Sequence, residues 1–403
     1  MTQQPTNKTS PTLRFPEFSG EWEEKRLDEV SEINRGKSKH RPRNAKKLYG
    51  GKYPFVQTGD IREASLYLDS YSQTYSEEGL KQSKLWDIDT LCITIAANIA
   101  ETAILKIKAC FPDSIIGLIP YEKETTVLFV KHQFDKFKID IQRLSQGVAQ
   151  DNLNKEKLSK IEFKFPTLPE QQKIAAFLTA VDAKIAQLNK KKSLLEQYKK
   201  GVMQHLFSSC HPEPVEGKGR KKLGFRFKDK NGNHYPDWEE KMLGEVAVKK
   251  SSNISANTIE ENKGKYKIYG ASGLLKTIDF YREETEYISI VKDGAGVGRT
   301  LLCEAFSSVL GTLEVIKPKI DANLYFIYSL INNIDFNKYI TGSTIPHIYF
   351  KDYSKEKINI PCSEEQTKIA NFLSSLDAKI ELVTIQLEST QQFKKGLLQQ
   401  LFV

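Results

Sequence analysis

Thirteen residues, 35–47 (RGKSKHRPRNAKK), hold seven cations and no acid: Arg35, Lys37, Lys39, Arg41, Arg43, Lys46 and Lys47. Like charges this close repel unless water or an anion lies between them. The run therefore suits either a solvated loop or a loop that contacts phosphates. Gly36 and Pro42 keep it off a regular helix. The chain as a whole leans the same way, with 60 Lys+Arg against 51 Asp+Glu, a formal charge of +9. Such an excess is compatible with a polyanion partner without requiring one.

Other residue patterns that could do chemistry fail at defining positions. Gly294-Ala295-Gly296-Val297-Gly298-Arg299-Thr300 follows a strand-like run, but a dinucleotide fingerprint needs glycine where Arg299 stands. A phosphate-binding P-loop needs glycine at Asp293 and lysine at Arg299. Pro236, Asp237, Glu239 and Lys241 mimic a nuclease pattern, yet the two acids are too close to come from two neighbouring strands. No Asn-Pro-Pro-aromatic segment, GxSxG or HExxH occurs, so no self-contained catalytic site is expected. Cys92, Cys110, Cys210, Cys303 and Cys362 form no CxxC pair. They read as reduced thiols of a cytoplasmic protein, with no metal site. No apolar run of membrane-spanning length and no apolar leader is present, so neither secretion nor membrane insertion is expected.

A length of 403 residues and 39% hydrophobic content allow two to four packed domains of roughly 100–200 residues each. Self-comparison shows how they are organised. PEQQKIAAFLTAVDAKI (169–185) falls on EEQTKIANFLSSLDAKI (364–380) at an offset of 195, with 11 of 16 positions identical from Glu170 to Ile185. The match runs back through IEFKFP (161–166) on EKINIP (356–361), and Gly147 on Gly342. It runs forward through QYKKGVMQHLF (197–207) on QFKKGLLQQLF (392–402). The openings match at another offset, Trp22 on Trp238, so the first middle segment is longer by 216 − 195 = 21 residues. YPFVQTGDI (53–61) and YKIYGASGL (266–274) sit at comparable places. A variable module and a near-constant segment thus occur twice, which implies pseudo-twofold symmetry suited to a two-part target on a duplex.

The near-constant segments read as long helices. Ile174, Leu178, Val181, Ile185, Leu188, Lys192, Leu195, Lys199, Val202 and Leu206 step by four and three without a break. Ile369, Leu373, Leu376, Ile380, Val383, Leu387, Thr390, Lys394, Leu397 and Leu401 repeat that register. Spacing of this kind over five heptads predicts that the two helices pair along a coiled-coil seam. Between the halves, SSCHPEPVEGKGRKK (208–222) has the composition of a flexible linker. The modules carry β-type runs (TLCITIAA, AILKIKA, YISIVK, TLEVIK) and a helical patch at 324–334, a mixed α/β pattern. The expected boundaries are 1–165 and 223–360 for the modules, 166–208 and 361–403 for the helices, and 209–222 for the linker.

In order and in duplicate, these features resemble the specificity subunits of type I restriction–modification systems, over essentially the whole chain. The resemblance rests on the doubled EQ-x-K-I-A-x-F-L…D-A-K-I segment, the openings around Trp22 and Trp238, YPFVQTGDI, and the stretches from Gly147 and Gly342 to each helix. It implies an α/β protein with two target recognition domains joined by two helices in an antiparallel coiled coil. Each domain would read one half of a bipartite, asymmetric DNA site. The constant segments would dock two methyltransferase subunits, with restriction/translocase subunits beyond them. S-adenosylmethionine, ATP and Mg would belong to those partners, and this chain would bind no cofactor. The HPEPVEG stretch departs from the family pattern. Two other classes remain open on the residues alone, a coiled-coil interaction scaffold without sequence-specific DNA binding and a self-contained DNA enzyme.

Phosphate contacts are expected from 35–47 in the first module and from Lys249, Lys250, Lys292 and Arg299 in the second. Donor and acceptor side chains on turns are the base-reading candidates: Gln57, Thr58, Asp60, Gln150, Asn152, Ser272, Thr341, Ser343 and His347. The alternative reading for any single one of them is a turn-capping or solvated polar residue, which is the commoner role. The divergent middles between matching frames make the modules separable. Replacing residues 223–360 with the equivalent module of a relative should change one half of the recognised sequence and keep the other, as read by mapping methylated adenines in host DNA. A simultaneous change in both halves would show that the modules do not read independently.

Overall fold

The computed structural model describes residues 10–144, 153–208, 226–319 and 322–403. The expected linker, together with Gln150 and Asn152, lies outside them. Two compact units emerge, one formed by the chain up to Lys191 with Thr384–Val403, the other by Lys192–Val383. Each long helix, Leu168–Ser208 and Ser363–Leu401, is divided between them.

In the first unit a five-stranded sheet has the order Ser31–Arg35, Ile115–Pro120, Leu91–Thr94, Thr102–Leu105, Tyr67–Leu68. Every neighbouring pair is antiparallel except the last. Both faces of this sheet are covered, so its central strands read as unbroken apolar runs. Leu91 and Ile93 pack with Phe129, Val130 and Phe134 of the helix Val127–Leu144. Cys92 faces the other way, toward Trp86 and Phe111. The second unit repeats the order with Ala247–Ser251, Leu313–Pro318, Tyr287–Val291 and Thr300–Cys303, all antiparallel, and covers them with the helix Leu324–Ile331. Three further strands of this unit, Gly273–Ile278, Tyr266–Gly270 and Ser308–Val309, form a separate sheet.

The parts that match in sequence clasp one another. Glu23–Arg26, just after Trp22, pairs antiparallel with Glu162–Phe165, and Glu239–Met242 pairs with Lys357–Ile360 in the corresponding register. Each approach strand leads into a long helix whose motif Glu is buried and held by an arginine from the module's opening. Arg14 meets Glu170 at 2.8 Å, and Arg226 meets Glu365 at 2.7 Å. Both carboxylates sit in a first helical turn, where the helix dipole also favours negative charge. The neighbouring glutamine ties three segments together. Gln171 donates to the carbonyls of Pro166 and Glu124 and accepts from Thr125. Gln366 likewise donates to Pro361 and accepts from the amide of Asn323. Phe15 on Phe177 (5.9 Å) and Phe227 on Phe372 (5.6 Å) complete the same contact twice. The first helix begins at Leu168, so Pro169 lies inside its first turn, where a missing N–H is tolerated.

Within the first unit, Ile174, Ala175 and Leu178 share a core with Leu397, Leu398, Leu401 and Phe402. Within the second, Leu206 joins Ile369, Ala370, Leu373 and Leu376. The start of each helix therefore meets the end of the other, and the pair is antiparallel. Of the remaining seam positions, Leu188, Val383 and Leu387 are buried, and Val181, Ile185, Leu195 and Ile380 are half-buried. Two polar seam residues pin the register. Lys394 lies 2.7 Å from Asp182 and 3.3 Å from Asp135, and Lys199 pairs with Asp377, which also accepts from Tyr325. Burial opposes the charge on Lys394, but the carboxylates of Asp135 and Asp182 outweigh it and hold the ammonium above the ordinary lysine value. His132, fully buried beside them, has its imidazole pushed down by that burial and stays neutral.

Removing one partner of a buried pair leaves a charge uncompensated. Lys394→Met should therefore lower stability by about 3–5 kcal/mol in urea unfolding. Lys199→Met, whose partner Asp377 is 38% exposed, should cost about 1 kcal/mol or less. Equal losses would show that the first cluster is no more desolvated than the second.

Candidate nucleic-acid interface

In the first unit the basic run begins where the strand Ser31–Arg35 ends, beside the start of Ile115–Pro120. The amides of Gly36 and Lys37 donate to the carbonyls of Ile115 and Phe111. A Cβ on residue 36 would lie 2.3 Å from the Pro112 carbonyl oxygen, so only glycine lets the loop leave the sheet this closely. Asp113 then gathers the arginines: Arg35 donates to its carbonyl at 2.7 Å, and Arg43 pairs with its carboxylate at 2.7 Å. Arg41 turns back onto the carbonyls of Ser38 and His40. Lys47 stands 3.8 Å from Glu78, with both side chains 58% exposed, a pair of little energetic weight. Lys37, Lys39 and Lys46 are exposed, and among the described residues they make no ion pair. Free charge on this loop therefore resides mainly in its lysines.

The second set of candidates in this unit flanks the same segment. Val56 and Cys110 exchange backbone hydrogen bonds with each other's strand, placing Gln57 and the short helix Thr58–Glu63 beside residues 110–115. Asp60 is occupied there, accepting from the amide of Gln57 at 2.7 Å and from Ser72 at 3.1 Å. The Gln57 amide group reaches Gln73 at 3.3 Å, and Thr58 is half-buried at the helix start.

In the second unit six candidates converge at the corresponding end of the sheet. The turn after Tyr287–Val291 carries Lys292 and Arg299, and Arg299 donates to the carbonyl of Ala271, next to exposed Ser272. Thr341 and His347 close a tight loop by exchanging backbone bonds at 2.9 and 2.8 Å. That loop is strapped to the turn through Gly294 on Pro346 and Ile348 on Lys292. Gly342 has φ +88°, and a Cβ there would meet the Ile345 carbonyl oxygen at 2.4 Å. Thr341 and Ser343 are exposed on this loop, with the His347 ring against its base. Lys292 lies 3.3 Å from Asp293.

Lys249 and Lys250 stand apart from this group, on the outer strand of the sheet, and their charges are engaged within the unit. Lys249 lies 3.5 Å from Glu314, and Lys250 lies 2.6 Å from Glu283, which Lys317 also meets at 2.7 Å. Burial works against the Glu283 carboxylate, yet the two lysines hold it below the usual range. Sequence reasoning missed Asp113 and Glu283, because acids that quench distant cations have no local signature. It also passed over the turn 95–101, which occupies in the first unit the place of the glycine-rich turn in the second.

Among the described residues, no cluster of His, Cys, Asp and Glu is arranged to hold a metal ion, and no helix is long and apolar enough to cross a membrane. Against known proteins, residues 19–197 and 235–390 match the family described as the type I restriction modification DNA specificity domain. The chain belongs to that family. Among curated relatives it is 22% identical to the type I restriction enzyme MjaIX specificity subunit of Methanocaldococcus jannaschii, over 89% of this chain and 88% of that one. It is 28% identical to the EcoDI specificity subunit of Escherichia coli, over 40% of this chain and 35% of that one. Its fold matches the crystal structure of a type I restriction–modification S subunit from M. genitalium with a TM-score of 0.67 at 17% identity, covering 98% and 99% of the two chains. The two matched stretches each end within a long helix, so the chain carries the family domain twice, each copy comprising a module and most of its helix.

Each phosphate contact adds about 0.9 to the slope of log K against log salt. Changing Lys37, Lys39 and Lys46 to Ala should flatten that slope by about 2.7 for every duplex alike. Arg43→Ala, already paired with Asp113, should change it less. An unchanged slope in the triple variant would make the loop a bystander.

Proposed function

We propose that this chain is the DNA-reading subunit of a type I restriction–modification complex, each unit recognising one half of a bipartite, asymmetric duplex site. The observation that carries this reading is the same sheet end built twice. In both units it bears cationic and hydrogen-bonding side chains on tight turns, and it is mounted on a frame whose contacts repeat in both halves. Lysines and arginines there would neutralise phosphates and fix position, while turn residues such as Gln57, Thr58, Ser272, Thr341, Ser343 and His347 would face base edges. Gln150 and Asn152 belong to the same expectation by their offset from Ile345 and His347.

Methyl transfer and cleavage would fall to partner subunits that bring S-adenosylmethionine, ATP and Mg. Two modification subunits are the natural complement of a pseudo-twofold frame, with restriction/translocase subunits joining them. Cytoplasmic DNA is the substrate, and the free thiols Cys92, Cys110, Cys303 and Cys362 suit that reducing compartment.

The test is selection of bound duplexes from a randomised library by the full chain assembled with its modification subunits. The expected product is one sequence of two short defined blocks separated by a gap of fixed length, with binding that weakens steeply as salt rises. Assembly with partners but no selected sequence would overturn this reading in favour of an interaction scaffold. Methyl transfer or cleavage by the purified chain alone would overturn it in favour of an enzyme.

A further inference from the structure

The turn between Leu91–Thr94 and Thr102–Leu105 holds two residues in a conformation that side chains avoid. Ala97 has φ 60° and Ala100 has φ 64°, both left-handed, without the glycines (Gly294, Gly296 and Gly298) that occupy this place in the second unit. Such strain persists only where the surroundings over-determine it, and it concentrates at functional sites. The surroundings here are dense. The amide of Thr94 donates to the Glu101 carbonyl and the amide of Ala100 to the Thr94 carbonyl, each at 2.9 Å. The Thr94 hydroxyl donates to the Asn98 carbonyl and accepts from the Glu101 amide at 3.0 Å. From the helix Val127–Leu144, Gln142 donates to the Ile99 carbonyl at 2.9 Å and Lys138 pairs with Glu101 at 2.7 Å.

All of this fixes the backbone around Asn98 while leaving its side-chain amide without a hydrogen-bond partner among the described residues. The turn also stands at the sheet end already singled out. The Ile95 amide donates to the Ser114 carbonyl, one residue from the Asp113 that holds Arg35 and Arg43. An asparagine amide offers one donor and one acceptor side by side, the complement of adenine N7 and N6–H in the major groove. We infer that Asn98 is a specificity-determining residue of the first unit and contacts the edge of an adenine in the first half-site. The inference rests on the DNA-reading function proposed above.

The test compares wild type and Asn98→Ala, each as the full chain assembled with its modification subunits, by selection from duplexes randomised across the first half-site. The expected result is a preference lowered about 5- to 150-fold at a single adenine-containing pair, with the second half-site unchanged, from the worth of a bidentate base contact. Melting temperatures of the two proteins should agree, since the amide holds nothing in the fold. An unchanged selected sequence would overturn the assignment, and so would relaxation at a pair without adenine. Weakening that is uniform over all sequences would make Asn98 a phosphate contact and overturn it as well. If wild type itself selects no bipartite sequence, the functional reading fails rather than this residue's role within it.

Discussion

Lys394 between Asp182 and Asp135 settles the register on which the rest of the structure depends, and its repeat partner Lys199 on the more exposed Asp377 echoes that contact weakly. An apolar seam alone tolerates sliding by a heptad, because leucine meets leucine again after about 10 Å. A buried carboxylate tolerates no such slip, since losing its cation leaves a charge in a medium that cannot solvate it. With this register, Phe402 reaches Trp22 at 6.3 Å and Phe129 at 5.4 Å. In the other unit Phe207 reaches Phe326 at 5.8 Å, and Phe326 in turn meets Trp238 at 6.2 Å. Each core is thus completed by the last turn of a helix that starts in the other repeat.

The same dependence explains which residues repeat and which drift. The tryptophan openings, the approach strands, the Glu-Gln pair and the helices contact one another, and each change would need a compensating change elsewhere. The sheet-end loops between them are tied to one another and to their own sheet by backbone bonds, as Gly294 on Pro346 and Gly36 on Ile115 illustrate. Backbone bonds constrain conformation and leave side chains free. A recognition surface can then change its residues while its mounting stays constant. The longer first middle segment supplies the fifth strand of its sheet, Tyr67–Leu68, which the second unit's four-stranded sheet lacks.

Charge on this protein is partly spoken for inside it. Lys249, Lys250 and Lys317 balance Glu283 and Glu314, and Arg35 and Arg43 converge on Asp113. These contacts shape the strands and loops that carry the recognition residues. Lys37, Lys39 and Lys46 extend from that scaffold into solvent, where a polyanion would find them.

Periodicity and repetition are properties of the chain in one dimension, so the sequence by itself determined the doubled architecture, the long helices, their seam and the family. The basic run, the strand-forming stretches and the position on turns of six candidates in the second unit were legible for the same reason: local composition decides them. Antiparallel direction followed from resemblance, and its physical cause became visible only when Leu401 and Phe402 were seen packed on Ile174 and Leu178. The clasp of Arg14 on Glu170 joins residues 156 positions apart. The internal use of Lys249 and Lys250, the occupied carboxylate of Asp60 and the strained turn at Asn98 share that character. Each depends on which distant group the fold delivers within a few ångströms, where burial and hydrogen bonding set what a charge or an amide can do. Only the tertiary structure decided these.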